Sequence, residues 1–419
     1  MEKKNNFDSC GLLAAVIVLA GILVVIMFTG MWPGQDNGYN SYALQADAWR
    51  RGQLDLGQNY EWLELAIFGG KYYVSFPPFP SYILFPFVLI FGLKTPDHWI
   101  AIAVALVGAF YAYRLCRKYL GSKEKALFFS SFLYLGTGMM FICVNGWVWF
   151  VAQNMCVTLS LMSLWYASEG KGGWALSFWA CAVGCRPMVA LYLPVLLWLL
   201  WNNRLSKQGE DTNSLRNTLS RMIKEKGYWC IGPFLIALSY MTLNYARFGS
   251  IIEFGHNYLP EFTRTTTGQF NLSYFWGNLK NLLRLPSVGE GGGGALQFPT
   301  ENGMAFWLAT PFFITVILAW GSAVWRKMKR AETGRSSLFL LLVLPALALA
   351  HVAILCCHRT LGGWHFGNRY LLDFLPYLLL GMLFWQPRKK WFVQWNIPLF
   401  AFGAAFNFVG IVATYNHWI

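Results

Sequence analysis

Charged residues are scarce in this chain. Asp, Glu, Lys and Arg make up 12% of its 419 residues, whereas apolar residues make up 56% and aromatic residues 18%. This composition excludes a soluble domain large enough to stand apart and is typical of a polytopic membrane protein. The net charge of +14 would suggest a polyanionic partner in a soluble protein. Here the basic residues cluster in short loops, which is how membrane proteins set their orientation, so we predict no nucleic-acid partner.

Cysteine pairs with the CxxC spacing of metal sites are also lacking. The nine cysteines mostly fall inside or beside apolar runs, as small hydrophobic side chains do. Cys356-Cys357-His358 is the one cluster that suggests a metal, and vicinal cysteines without a second cluster do not complete a tetrahedral shell. We therefore expect no metal site and no cofactor, although the sequence leaves dependence on a divalent metal open.

Long apolar runs alternate with loops along the chain. The first, residues 11–30, has the length of a membrane span and lacks a small-residue cleavage site, so we predict that it is retained. The run at 81–91 is too short to span. The next basic loop also requires one crossing before it, which places residues 79–93 on the outer surface. The predicted spans are residues 11–30, 97–113, 126–144, 150–167, 174–185, 187–201, 228–246, 303–325, 336–357, 370–385 and 394–415.

The Lys and Arg residues predict the orientation of these eleven spans. Most of the 33 lie in loops of one side, which is then cytoplasmic together with residues 1–4. We predict an all-α polytopic membrane protein whose single transmembrane domain covers residues 1–419. It has a first extracytoplasmic loop with juxtamembrane helices (31–96), a cytoplasmic loop (202–227) and a second long extracytoplasmic loop (247–302). Within the last, the run Gly289-Glu290-Gly291-Gly292-Gly293-Gly294 predicts a mobile loop.

The stretch from residue 35 to residue 52 lies just past the first span and organises the predicted site. It places the carboxylate of Asp36 where a membrane helix opens to water. A short helix follows, with Tyr42, Ala46 and Trp49 on one face. The combination indicates a site at the bilayer surface.

Several stretches, in their order along the chain, resemble the GT-C superfamily of integral-membrane glycosyltransferases. After the first span come Asp36…Tyr42…Ala46…Gly52 and then Gly70-Lys71-Tyr72-Tyr73-Val74-Ser75-Phe76-Pro77-Pro78. Residues 244–255 and 364–376 resemble the same bacterial branch, which includes protein O-mannosyltransferases and the lipid A aminoarabinose transferase. The resemblance covers essentially the whole chain, and it rests on order and topology more than on any one motif.

The resemblance implies a GT-C fold, a polyprenyl-phosphate sugar as donor and a catalytic acidic residue in the first outer loop. The matching residue here is Asp36. The chain departs from the family pattern at Asn37, where many members have a second acidic residue, and at Phe76, where some have Lys before Pro-Pro. Where many members carry another Asp after the third span, this chain offers only Asn145, Gln153 and Asn154.

Glycosyl transfer to a hydroxyl needs a base near the acceptor oxygen and cations that hold the departing phosphate. We predict that Asp36 is the base. Arginine suits the phosphate because its fork binds two oxygens at once. The predicted phosphate-binding residues are Arg186, Arg369 and Lys71, and possible contacts to donor or acceptor are Asp47, Tyr42, His256 and His365.

Each candidate also has a purely structural interpretation. Asp36 can cap the helix that ends near Gly52. Asp47 can lie on a solvated helix face, and Arg369 can pair with Asp373 four residues further on. Arg186 has no such local partner, and an unpaired cation in a hydrophobic hairpin indicates a functional site. The two histidines can be structural.

The leading functional hypothesis is a glycosyltransferase of the plasma membrane whose active site is extracytoplasmic. Its partners would be a polyprenyl-phosphate sugar donor, an envelope glycan, lipid or protein acceptor, and membrane lipid. One alternative is a ligase or polymerase of lipid-linked glycans. Another is a transporter or flippase, which would place ionisable residues near mid-bilayer, whereas the charges here gather at one face.

Overall fold

The computed structural model describes residues 9–208, 226–288, 296–329, 335–387 and 389–419. The predictions for residues 1–4, for most of the 202–227 loop and for the glycine run concern residues outside these ranges. The α-helices of the described residues are α1 Ser9–Thr29, α2 Ser41–Arg50, α3 Phe79–Phe91, α4 Asp97–Leu120, α5 Lys123–Leu135, α6 Met139–Ile142, α7 Val148–Ser168, α8 Gly172–Val183, α9 Leu193–Gln208, α10 Ile231–Phe248, α11 Pro260–Thr263, α12 Phe275–Leu283, α13 Phe306–Ala309, α14 Phe312–Met328, α15 Arg335–Cys356, α16 Leu375–Trp385 and α17 Lys390–Tyr415.

The structure confirms an all-α polytopic membrane protein. Five described helices are long and apolar enough to cross a bilayer: Ser9–Thr29, Asp97–Leu120, Val148–Ser168, Leu338–Cys356 and Lys390–Tyr415. Shorter apolar helices accompany them, and each predicted span overlaps at least one helix. The long apolar runs therefore fold as expected, because a helix satisfies its own backbone hydrogen bonds within the hydrocarbon.

One predicted span, 126–144, is broken in the middle. Helix α5 ends at Leu135, Gly136 follows it, and the single turn of α6 begins at Met139. Helix α17 crosses the chain at this break, where a Cβ atom on Gly403 would lie 2.3 Å from the carbonyl oxygen of Gly136. Only a residue without a side chain allows two backbones to approach this closely.

Residues 61–80 of the first outer loop, which are rich in proline, glycine and aromatic residues, contain a two-stranded antiparallel hairpin. Strands β1 Leu65–Phe68 and β2 Lys71–Val74 pair in register from Leu65 with Val74 to Phe68 with Lys71. The turn consists of Gly69 and Gly70, whose φ angles are 56° and 75°. Positive φ at both turn residues matches the right-handed twist of a tight hairpin and favours glycine.

Helix α2 is buried along most of its length against α3. Tyr42 and Ala46 are 1% and 0% exposed, and the Ser81 hydroxyl donates to the Tyr42 carbonyl at 3.1 Å. The residue before the helix is Asn40, with no side-chain cap, so the interpretation of Asp36 as the cap is wrong. The solvated-face interpretation of Asp47 is wrong too, because its buried carboxylate pairs with Arg50 and Arg51.

Candidate active site

A cavity of about 790 Å³ lies where the loops assigned to one side of the membrane meet. Its lining comes from the first outer loop, the start of α7, the turn between α8 and α9, the 247–302 loop, the segment after α15 and the chain end after α17. Each of these segments lies in or next to a loop that the charge pattern places outside. A cavity of this size accommodates a sugar with its phosphate.

Two arginines flank one tyrosine ring in this cavity. The guanidinium carbons of Arg186 and Arg369 lie 4.5 Å and 4.6 Å from the centroid of Tyr370. The Arg186 Nε donates to Asp373 at 2.9 Å. The structural alternative, in which Arg369 pairs with Asp373, is therefore wrong, because Asp373 pairs with Arg186. Arg186 has a partner that its neighbours in sequence do not reveal. We call Arg186, Arg369 and Tyr370 the arginine corner.

Arg369 is held by a backbone carbonyl instead of a carboxylate. Its Nε and Nη2 donate to the Gly362 oxygen at 3.1 Å and 2.6 Å, and its Nη1 has no hydrogen-bond partner among the described residues. The residue is 4% exposed. Burial lowers the pKa of Arg369, but a guanidinium keeps its proton in proteins. The arginine corner thus carries two positive charges, of which Asp373 neutralises one.

Gln153 connects Arg369 to the ion pair of Arg186 and Asp373. Its side-chain nitrogen donates to the Arg369 carbonyl at 2.6 Å and to the Asp373 carboxylate at 2.5 Å. The sequence reading noted Gln153 only as a departure from the family pattern. Its role depends on contacts with residues more than two hundred positions away, and no local signal indicates it.

Aromatic rings and one carboxylate form a second wall, which adjoins the arginine corner. The Tyr39 ring lies 5.1 Å from both Trp147 and Trp149, and Trp147 lies 5.9 Å from Trp364. Glu64 lines the cavity on this side. Burial raises the pKa of Glu64, against the smaller opposing effects of a hydrogen bond with Trp149 and of the Arg369 charge. Sequence reasoning did not single out Glu64.

Histidines and phenylalanines form a third wall. The His256 and His358 rings lie 6.0 Å apart, and the Phe270 ring lies 5.0 Å from His358. Burial and the neighbouring His358 lower the pKa of His256 to about 3, so this imidazole is neutral near pH 7. His358 contacts Gln269 at 3.1 Å. Within the part of the chain that the structure describes, no three His, Cys, Asp or Glu residues could hold a metal.

Solved structures share this architecture, whereas comparisons of sequence alone find no match. No protein-family sequence model and no curated protein sequence matches the chain. ArnT from Cupriavidus metallidurans, solved with undecaprenyl phosphate, superposes with a TM-score of 0.52 at 14% identity over 96% of this chain and 76% of that one. The oligosaccharyltransferase from Archaeoglobus fulgidus gives 0.55 at 12% identity over 99% of this chain and 56% of that one. The protein has the GT-C fold.

Within this GT-C fold, the predicted site residues divide into two groups. Tyr42, Arg186, Arg369 and His256 line the cavity. The others do not. Asp36 is exposed in the loop three residues before Tyr39, Lys71 is exposed and pairs with Asp55 at 3.2 Å, Asp47 is buried with its arginines, and His365 is fully buried.

Proposed function

We propose that the protein is a glycosyltransferase that moves a sugar from a polyprenyl-phosphate donor to an acceptor hydroxyl at the extracytoplasmic face of the membrane. The observation that carries this proposal is the arginine corner, where Arg369 lies in a deep cavity with no salt-bridge partner among the described residues. Glu64 and Asp373 act on the Arg369 charge only from beyond salt-bridge distance. Burying a charge without a counter-charge in contact with it is costly, which indicates an anionic ligand. The GT-C fold and the solved ArnT complex with undecaprenyl phosphate support a lipid phosphate as that anion.

In the proposed reaction, the acceptor oxygen attacks the anomeric carbon of the donor. The bond between that carbon and the phosphate oxygen breaks, and its electron pair goes to the phosphate, where Arg369 and the exposed part of Arg186 stabilise the new charge. The acceptor proton goes to a carboxylate. Lipid phosphate and the glycosylated acceptor are the products, so the reaction needs no oxidant and no co-reactant besides donor and acceptor.

The resemblance assigns the proton-accepting role to Asp36, and we retain that assignment as part of the proposal. Its loop leads directly into Tyr39, whose ring lines the cavity. The side chain of the neighbouring Asn37 donates to Asp97 at 2.9 Å and to the Gly146 carbonyl at 2.8 Å, which fixes the loop against the bundle.

Binding of undecaprenyl phosphate to purified protein tests the proposal. We expect measurable binding to wild type and affinity about tenfold to a hundredfold lower in Arg369→Ala, because charge-assisted hydrogen bonds contribute roughly 1.5–3 kcal/mol. Arg369→Lys should recover part of the affinity, since it keeps the charge but loses the fork. Arg264→Ala is the matched control, because Arg264 is exposed and does not line the cavity.

A radiolabelled transfer assay from undecaprenyl-phosphate sugars to membrane fractions completes the test. Wild type and Arg264→Ala should transfer label, and Arg369→Ala should not. Wild-type protein that binds no undecaprenyl phosphate, or Arg369→Ala protein that stays folded and binds it normally, would refute the proposed phosphate site.

A further inference from the structure

Three carboxylates that line the cavity, those of Glu64, Glu253 and Glu261, have no part in the proposed reaction. Glu64 is the one whose charge interacts with Arg369. It lies directly before strand β1, and its backbone is fixed because the Ser75 hydroxyl donates to the Glu64 carbonyl at 2.9 Å. Its side chain is exposed to the cavity, while the surrounding protein limits contact with bulk water, which raises its pKa. Glu64 lines the same cavity as Arg369 and as Trp147 and Trp149, which we call the tryptophan wall.

The tryptophan wall is continuous with the arginine corner through Phe150. The Phe150 ring lies 5.6 Å from Trp147 and 6.3 Å from Trp149, and the Arg369 guanidinium lies 5.8 Å from the same ring. Trp147 and Trp149 are half-buried and line the cavity. They offer flat apolar surface beside a fixed carboxylate, which is the usual composition of a site for a polar small ligand.

We propose that Glu64 and the Trp149 indole bind the sugar of the donor. This inference rests on the proposed function, because it takes the phosphate at the arginine corner as given. The sugar is bonded directly to that phosphate, so it must occupy the adjacent part of the cavity. There the indole packs on the apolar face of the ring, and the Glu64 carboxylate accepts hydrogen bonds from the ring's hydroxyl groups. The predicted ligand class is a sugar with free hydroxyl or amino groups on the face toward Glu64.

The test compares two ligands in the same protein. Undecaprenyl phosphate alone contacts the phosphate site, whereas an undecaprenyl-phosphate sugar contacts the sugar site as well. Binding of undecaprenyl phosphate and of its pentose, hexose and N-acetylhexosamine conjugates is measured for wild type, and the tightest conjugate is used for the variants. Glu64→Gln keeps the size of the side chain and removes the charge. Glu61→Gln is the matched control, because Glu61 lies in the same loop, is exposed and does not line the cavity.

We expect Glu64→Gln to bind the conjugate about tenfold more weakly than wild type, because a charge-assisted hydrogen bond is roughly twice as strong as a neutral one. Its affinity for undecaprenyl phosphate should be no lower than that of wild type, because the substitution removes a negative charge near Arg369. Trp149→Ala should also lower the affinity for the conjugate, and Glu61→Gln should leave the affinity for both ligands unchanged. A Glu64→Gln protein that binds both ligands normally would overturn the sugar site, whether or not it still transfers sugar. The same holds if no conjugate binds wild type more tightly than undecaprenyl phosphate. Failure of wild type to bind undecaprenyl phosphate would instead refute the proposed function.

Discussion

Arg186 and Arg369 share one corner of the cavity but differ in what compensates their charge. Asp373 neutralises Arg186 and is itself 1% exposed, so this pair is a fixed part of the bundle. Arg369 is oriented by the Gly362 carbonyl, at a position where φ is +106° and a Cβ atom would lie 2.9 Å from its Nε. Glycine is required there because a side chain would push the guanidinium away. The corner therefore combines one neutralised arginine with one that is oriented for an incoming anion.

Asp36 gives the sharpest prediction at the scale of single residues. Asp36→Asn keeps the size of the side chain but removes the basicity, so we expect transfer to fall about 10²-fold or more. The loss of a helix cap does not complicate the result, because Asp36 caps no helix. Donor affinity and thermal stability should stay near wild type, and Glu61→Gln again serves as the control. Near-normal turnover of Asp36→Asn with saturating donor would remove Asp36 from the mechanism.

Sequence reasoning identified cavity residues that stand out from their immediate neighbours in the sequence. Arg186 stood out as a cation in an apolar hairpin, and it does line the cavity. Its ion pair with Asp373 was invisible because the two residues are 187 positions apart and meet only through helix packing. Glu64 was missed for the same reason, since its neighbours in sequence give no sign that its side chain faces a deep cavity.

Among the elements, the β1–β2 hairpin has the clearest structural role. Arg247, at the end of α10, is 3% exposed, and its Nη1 donates to the Val74 carbonyl at 3.2 Å while its Nη2 donates to Asn244 at 3.1 Å. The Phe248 ring packs 5.1 Å from Tyr73. These contacts fix the hairpin between Glu64, at its start, and the cavity-lining Phe76 and Pro77 just beyond its end.

We predict that Arg247→Ala destabilises this region. The substitution removes the donors to Val74 and Asn244 and leaves a void, and the loss of a charged donor costs roughly 1.5–3 kcal/mol. The apparent melting temperature in detergent should fall by several degrees, and Arg247→Lys should lose less. The exposed Arg264→Ala variant should melt like wild type. Equal melting temperatures for Arg247→Ala and Arg264→Ala would show that the Arg247 hydrogen bonds contribute nothing to stability.

The hairpin also shows a limit of predicting secondary structure from the periodicity of apolar residues. Gly69-Gly70 between two apolar runs is a recognised hairpin signal, but the short strands lie among prolines and aromatic residues that dominate the pattern. The long helices were predicted because a run of some twenty apolar residues is a local property. The break at Gly136 depends on Gly403, which lies on a different helix, so no window around Gly136 reveals it.

For the whole molecule, the cavity provides an argument about topology. The eleven-span arrangement assigned the first loop, the turn at Arg186, the 247–302 loop and the segment after α15 to one side from the pattern of basic residues alone. The structure brings residues from all of these segments into one cavity, while the basic residues at the end of α4 and the start of α5 do not line it. An error of one crossing would have placed some of these segments at the opposite end of the bundle.

The last prediction concerns which side of the membrane this cavity faces. We expect single cysteines at the exposed positions Gln58 and Thr266 to react with a membrane-impermeant maleimide in intact cells, and a cysteine at Lys123 to react only after permeabilisation. The background should lack Cys10, Cys181, Cys230 and Cys357, because these four are accessible and the other five are buried. The background protein without an added cysteine is the control.

The pattern of labelling separates two kinds of failure. If positions 58 and 266 are protected while position 123 reacts, the spans are correct and the orientation is inverted, so a donor would have to be supplied from the cytoplasm. If positions 58 and 123 react together, an even number of crossings separates them, and helix α4 does not cross the membrane alone. Only labelling of 58 and 266 without 123 agrees with an active site that receives its lipid-linked donor from the outer leaflet.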